Sequence, residues 1–133
     1  MAGPFRILVV EDEPVIRELV RSLLTESECE VETAPHAADG LKLAKTQTFD
    51  LILLDIVLPP TGSIQLDGIA VCRMLRADPR LRQTAIYMLT AKAKKSDVEA
   101  AMNAGANGYI HKPFRGAELL DLVQQLKARV AAG

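Results

Sequence analysis

Short apolar runs alternate with helix-period stretches five times along this chain, and that alternation restricts the fold more than any other feature. Phe5 to Val10 is apolar apart from one arginine, the pattern of a strand buried on both faces. Pro14 then opens a helix in which Val15, Ile16, Leu19, Val20, Leu23 and Leu24 fall on one stripe. Cys29 to Thr33 alternates more weakly, as expected of a strand nearer an edge. Ala37 to Lys45 is a short alanine-rich helix, and Leu51 to Leu54 is a strong strand. Asp67 to Arg76 reads as a helix with Ile69, Cys72 and Leu75 inward, stopped by Asp78-Pro79. Ala85 to Leu89 is the fourth strand. Ser96 to Ala104 is the fourth helix, with Ser96 as its N-cap and Gly105 as its C-cap. Gly108 to His111 is the fifth strand, and a last helix spans about Gly116 to Val130, with Leu119, Leu122, Val123, Leu126 and Val130 on one face. Five βα units with short connections imply a doubly wound parallel sheet with helices on both sides. In such sheets ligands bind beyond the carboxyl ends of the strands.

At 133 residues the chain is expected to be one domain with its core over about 5–130. A net charge of -1 gives no general attraction to nucleic acid or anionic membrane, so proteins or small ions are the expected partners. Cys29 and Cys72 lack metal-ligand spacing and read as buried thiols of a reducing cytoplasm. No apolar stretch reaches membrane-spanning length, and acids right after Val10 exclude a signal peptide, so the expected location is cytoplasmic.

The chemistry gathers at the strand ends. Val9-Val10 runs into Glu11-Asp12-Glu13, Leu51 to Leu54 into Asp55, Ala85 to Leu89 into Thr90, and Gly108 to His111 into Lys112-Pro113. Taken singly, each has an ordinary explanation as a turn, cap or solvated residue. Their joint placement is what points to a site. Two carboxylates about 4 Å apart repel by roughly 4 kcal/mol at an effective dielectric near 20. A hard divalent cation such as Mg²⁺ relieves that repulsion. Carboxylate, metal, lysine and hydroxyl together can bind and transfer a phosphoryl group, with Asp55 as the best-placed nucleophile.

In this order the motifs resemble the receiver domain of bacterial two-component response regulators. The matching residues are Ile7 to Glu13, Asp50 to Asp55, Leu58-Pro59, Asp67-Gly68, Thr90-Ala91, Gly105-Ala106 and Tyr109 to Phe114. The resemblance covers nearly the whole chain. It implies a flavodoxin-like fold of five parallel strands in the order 2-1-3-4-5 with five helices. It also implies that Asp55 accepts the phosphoryl group, and that Asp12, the Asp55 side chain and the Val57 backbone carbonyl hold Mg²⁺, with Glu11 helping through water. Thr90 and Lys112 would bond phosphoryl oxygens, and Tyr109 would be the aromatic switch residue. The Lys112-Pro113 bond would be cis. The implied partners are a sensor histidine kinase or phosphotransfer protein, and a downstream protein target on the face of the fourth helix, fifth strand and fifth helix. A phosphorylation-dependent homodimer is a further option.

One departure stands out: Pro60 to Leu66 lengthens the loop between Pro59 and Asp67-Gly68, where the family has only a residue or two. It reads as a tolerated surface insertion or as a lid beside Asp55. Val57 and Lys92 fall at positions that tune phosphoryl lifetime in the family, and an apolar Val57 implies slow self-dephosphorylation. Three other readings compete with this one. A haloacid-dehalogenase-like phosphatase would need a second acid where Val57 stands. A phosphorylation-independent interaction module would not need Asp12, Asp55, Thr90 and Lys112 together. A flavin binder on the same fold would need a phosphate-cradling loop that the first strand lacks.

Overall fold

The computed structural model describes residues 3–60, 66–91 and 94–132. Five strands, β1 (Arg6–Val10), β2 (Glu30–Ala34), β3 (Leu51–Leu54), β4 (Ala85–Thr90) and β5 (Gly108–His111), alternate with α1 (Pro14–Glu26), α2 (Ala37–Thr46), α3 (Gly68–Arg76), α4 (Lys95–Asn103) and α5 (Gly116–Ala132). All neighbouring strands pair in parallel, in the order β2-β1-β3-β4-β5. This is the expected flavodoxin-like arrangement.

The pleat sorts each strand's side chains into two cores. Leu8, Val10, Ile52, Leu54, Ile86 and Met88 pack with Val71, Cys72 and Leu75 of α3 on one face. Ile7, Val9, Leu51, Leu53 and Ile110 pack with Val20, Leu24, Leu119 and Val123 on the other. A central strand covered on both faces has no polar side to spare, which is why β1 and β3 read as unbroken apolar runs. Arg6, the exception in β1, stays at the amino end of its strand. Its guanidinium lies 4.9 Å from the Phe49 ring centroid and donates to the Thr48 carbonyl.

Several boundaries differ from those expected. β2 begins at Glu30 rather than Cys29, and it lies on the edge of the sheet as its weak pattern foretold. On α1 only Val20 and Leu24 are buried, whereas Val15 is 78% and Leu19 48% exposed. The expected six-residue stripe is wider than the strip of helix that the sheet and α5 cover. On α5, Val130 is likewise exposed, because it lies beyond the amino end of the sheet. Helix α4 starts at Lys95 with Lys94 as N-cap, so Ser96 is inside the helix and not its cap. At its other end the Gly105 amide donates to the Met102 carbonyl and the Ala106 amide to Ala101, a Schellman closure. Gly105 has φ +110°, which a side chain would resist.

Arg76 staples the end of α3 to its surroundings. Its guanidinium donates to the carbonyls of Gly105, Leu81 and Thr84 and to Asn107 Oδ1, at 2.8–3.0 Å. Asn107 Oδ1 in turn accepts the Ile86 amide, which fixes where β4 and β5 start.

The lengthened loop after β3 is closed at its neck. The Gly68 amide donates to the Ile56 carbonyl at 2.8 Å, and a Cβ on Gly68 would lie 1.9 Å from the Asp55 carbonyl oxygen. Only glycine lets the chain return this close beneath Asp55. Residues 61–65, the heart of the insertion, and Lys92 lie outside the described residues.

Candidate functional site

Parallel pairing carries every singled-out group to the same end of the sheet. β3 is the central strand, between β1 and β4, so Asp55 follows directly on a strand flanked by both. Its amide donates to the Val10 carbonyl at 3.1 Å, which sets it beside the turn holding Glu11 and Asp12. Thr90 closes β4 and is fully buried, and its carbonyl accepts the Lys112 amide at 2.8 Å. The Lys112-Pro113 bond is cis, as the resemblance implied.

The carboxylates of Glu11, Asp12 and Asp55 present oxygens within 4.8 Å of one another. Glu11 is wholly buried and Asp55 nearly so, while Asp12 is half-buried at the mouth. Lys112 Nζ bridges the two deep acids, donating to Asp55 Oδ2 at 2.8 Å and to Glu11 Oε1. The other oxygen of each acid is held by a backbone amide: Val57 N–H reaches Asp55 Oδ1 at 2.9 Å, and Glu13 N–H reaches Glu11 Oε2 at 3.2 Å. The Val57 amide therefore orients the acceptor, while the Val57 side chain is 49% exposed and touches neither acid by any hydrogen bond.

Three acids face one ammonium, and the crowding shows at Glu11. Burial pushes Glu11 up to about 7, and the neighbouring Asp55 charge adds to the rise although the Lys112 hydrogen bond opposes it. For Lys112, burial alone would favour the neutral amine. Its hydrogen bonds to Asp55 and Glu11 outweigh that and hold it above the usual lysine value. An excess of buried oxygen charge, with one acid open to water, suits a hard cation that keeps part of its hydration shell. The donor set fits Mg²⁺.

Tyr109 is 44% exposed on β5, opposite Met88 in the β4–β5 register. The structure thus brings Glu11, Asp12, Asp55, Val57, Thr90 and Lys112 to one cup, with Tyr109 on the adjoining edge strand. A separate cavity of about 430 Å³ opens at the opposite end of the sheet, beside Phe5, Asp50, Tyr87 and Leu126, and shares no residue with the cup.

Two contributors were not singled out from the sequence. Gly68 stands in the sequence only as half of the Asp67-Gly68 motif, because nothing in the sequence shows that it returns beneath Asp55. Arg17 belongs to no motif that the sequence displays. Its Nη1 donates to the backbone carbonyls of Glu11 and Asp12 at 2.9 and 3.3 Å. The available signal was an arginine in the second turn of the helix that follows the acids, close enough to fold back on them.

A doubly wound sheet whose carboxyl edge gathers acids, a threonine and a lysine defines a phosphoryl-handling α/β class. Residues 7–124 match the family model described as the response regulator receiver domain, and the chain belongs to that family. Among similar proteins, the DNA-binding dual master transcriptional regulator RpaA of Synechocystis is 36% identical over 124 residues, 93% of this chain and 49% of RpaA. Transcriptional regulatory protein AfsQ1 of Streptomyces coelicolor is 39% identical over 113 residues, 85% of this chain and 47% of AfsQ1. The chain spans about half the length of these curated relatives. Among solved structures, Vibrio cholerae chemotaxis response regulator CheY4 superposes with TM-score 0.84 at 28% identity, covering 93% of this chain and 99% of that one. The receiver domain of Pseudomonas aeruginosa sensor histidine kinase PA1611, solved with a magnesium ion coordinated in its active site cleft, gives TM-score 0.81 at 35% identity, covering 94% and 98%. No helix among the described residues is long and apolar enough to cross a membrane.

Proposed function

We propose that this chain is one receiver unit, over about residues 5–130, in which Asp55 is the phosphoacceptor and a sensor histidine kinase or phosphotransfer protein is the donor. The observation that carries this is the fixed pose of Asp55, with one oxygen on the Val57 amide and the other on Lys112 Nζ. An Asp55 oxygen forms the new bond to phosphorus as the donor's P–N bond breaks, and the electron pair of that bond leaves on the imidazole nitrogen. Lys112 Nζ, already in the cup, follows the charge from the carboxylate to the phosphoryl oxygens, and the Thr90 hydroxyl donates to another. Glu11, Asp12, the Asp55 side chain and the Val57 carbonyl would hold Mg²⁺, which supplies charge neutralisation when bound.

Phosphorylation converts the Asp55 carboxylate that now pairs with Lys112 into an acyl phosphate and moves the negative charge onto the phosphoryl oxygens. The hydroxyl of Thr90 is drawn toward the phosphoryl group, and Tyr109 turns inward from its exposed position. The face of α4, β5 and α5 then changes its affinity for a downstream protein or for a second copy of the chain. Moving such a switch from mostly off to mostly on takes about 5.5 kcal/mol of differential binding. The unit promotes only its own phosphorylation and dephosphorylation, and it works in the cytoplasm. With a net charge of -1, contact with nucleic acid falls outside this unit.

Incubation of wild type and Asp55→Asn with acetyl phosphate and Mg²⁺, read by intact mass spectrometry, tests this reading. One phosphoryl adduct on wild type and none on the variant is the expected result. An equal adduct on Asp55→Asn would overturn it.

A further inference from the structure

The turn between β1 and α1 has a defect at its centre that one side chain repairs. Glu11, Asp12 and Glu13 carry the chain from strand to helix, and a tight turn here would normally close with an amide of the next residue on the Glu11 carbonyl. That residue is Pro14, which has no N–H. The N-cap, Glu13, makes no side-chain cap bond either. Arg17 fills the gap from the second turn of α1. Its Nη1 meets the Glu11 carbonyl at 2.9 Å and the Asp12 carbonyl at 3.3 Å, and the Arg17 amide is tied to the Glu13 carbonyl at 2.9 Å. The arginine is half-buried, so these bonds are partly shielded from water.

We infer that Arg17 is a positioning residue for the acid pair: by gripping the carbonyls of Glu11 and Asp12, it sets the spacing of their carboxylates and so their grip on a divalent cation. This rests on the reading of the cup as a Mg²⁺-dependent phosphoacceptor site. The sign of the effect separates positioning from simple charge. A guanidinium near a cation site repels the cation, so deleting it should tighten binding if charge were its only influence. If it holds the turn, deleting it loosens binding.

The test measures Mg²⁺ binding by calorimetry, and acetyl-phosphate phosphorylation as a function of Mg²⁺, for wild type, Arg17→Met and Arg17→Lys, with melting curves for all three. The expected result is a Mg²⁺ dissociation constant weakened about fivefold or more in Arg17→Met, with partial recovery in Arg17→Lys, whose ammonium keeps N–H donors but on a shorter stem without the planar fork. The phosphorylation rate at saturating Mg²⁺ should stay within about threefold of wild type, so the loss falls on the Mg²⁺ requirement and not on the maximal rate. Arg17→Met binding as tightly as wild type, or more tightly, would overturn the inference while leaving the phosphoacceptor reading intact. Should Arg17→Met fail to melt cooperatively, Arg17→Gln, which is shorter and uncharged, is measured in its place: wild-type Mg²⁺ affinity there also overturns the inference. Wild type that binds no Mg²⁺ and takes no phosphoryl group would sink the functional reading, and the role of Arg17 with it.

Discussion

Mg²⁺ binding should be strongly pH-dependent, and Glu11 is the reason. Its carboxyl is raised from 4.5 to about 7 because it is wholly buried beside Asp55. That rise corresponds to roughly 3 kcal/mol held against the charged form. In the unfolded chain the group ionises near its ordinary value, whereas in the fold it keeps its proton up to about 7. Without metal, stability therefore falls as pH rises from about 4.5 to 7, and the full cost is present above that window. A divalent cation favours the ionised acid, so it must displace the proton below the folded value. With a single group titrating near 7, the dissociation constant should improve about eightfold between pH 5.5 and 6.5. Between pH 7.5 and 8.5 it should change only about 1.3-fold. The chain has no tryptophan, so calorimetry in buffers of different ionisation enthalpy is the suitable assay, and it also counts released protons. Glu11→Gln should flatten the profile. A wild-type affinity that changes less than about twofold between pH 5.5 and 6.5, or a Glu11→Gln variant that keeps the slope, would refute the reasoning.

Three further outcomes follow from local geometry. Glu28 sits at φ 64° where α1 ends in a Schellman turn, a conformation that costs a side-chain-bearing residue about 1–2 kcal/mol. Glu28→Gly should raise stability by about 0.5–1 kcal/mol after the entropy of glycine is counted, visible as a melting temperature a few degrees higher; an unchanged or lower melt would contradict it. Gly68→Ala should cost about 2–3 kcal/mol in denaturant melts and slow phosphorylation, because its Cβ would lie 1.9 Å from the Asp55 carbonyl oxygen and backbone cannot yield as a side chain does; wild-type stability would show that the neck is looser than described. Val57 offers no polar group to position an attacking water, so phosphorylated protein should persist for minutes or longer, and a lifetime of seconds by mass spectrometry would refute that.

Much of this protein is local physics, and local physics is written in sequence. The runs Leu51 to Leu54 and Ile7 to Val10 announce strands covered on both faces, because no polar residue interrupts them. Asp55, Thr90 and Lys112 announce themselves by standing where such runs stop. The edge position of β2 was legible for the same reason, in its exposed and buried alternation. Other features depended on distances between residues far apart in the chain. Val15 and Leu19 carry the same apolar signal as Val20 and Leu24, and only the width of the cover on α1 leaves the first pair in water. Ser96 has cap chemistry, but the chain enters α4 earlier, at Lys94. Gly68 beneath Asp55 and Arg17 behind Glu11 and Asp12 are contacts made by the returning backbone and by a folded-back side chain. Sequence alone therefore determined which polar groups would gather, and at which end of the sheet. Tertiary structure decided how their oxygens are held and charged, because burial and three-dimensional proximity, not residue type, shift a carboxyl such as Glu11.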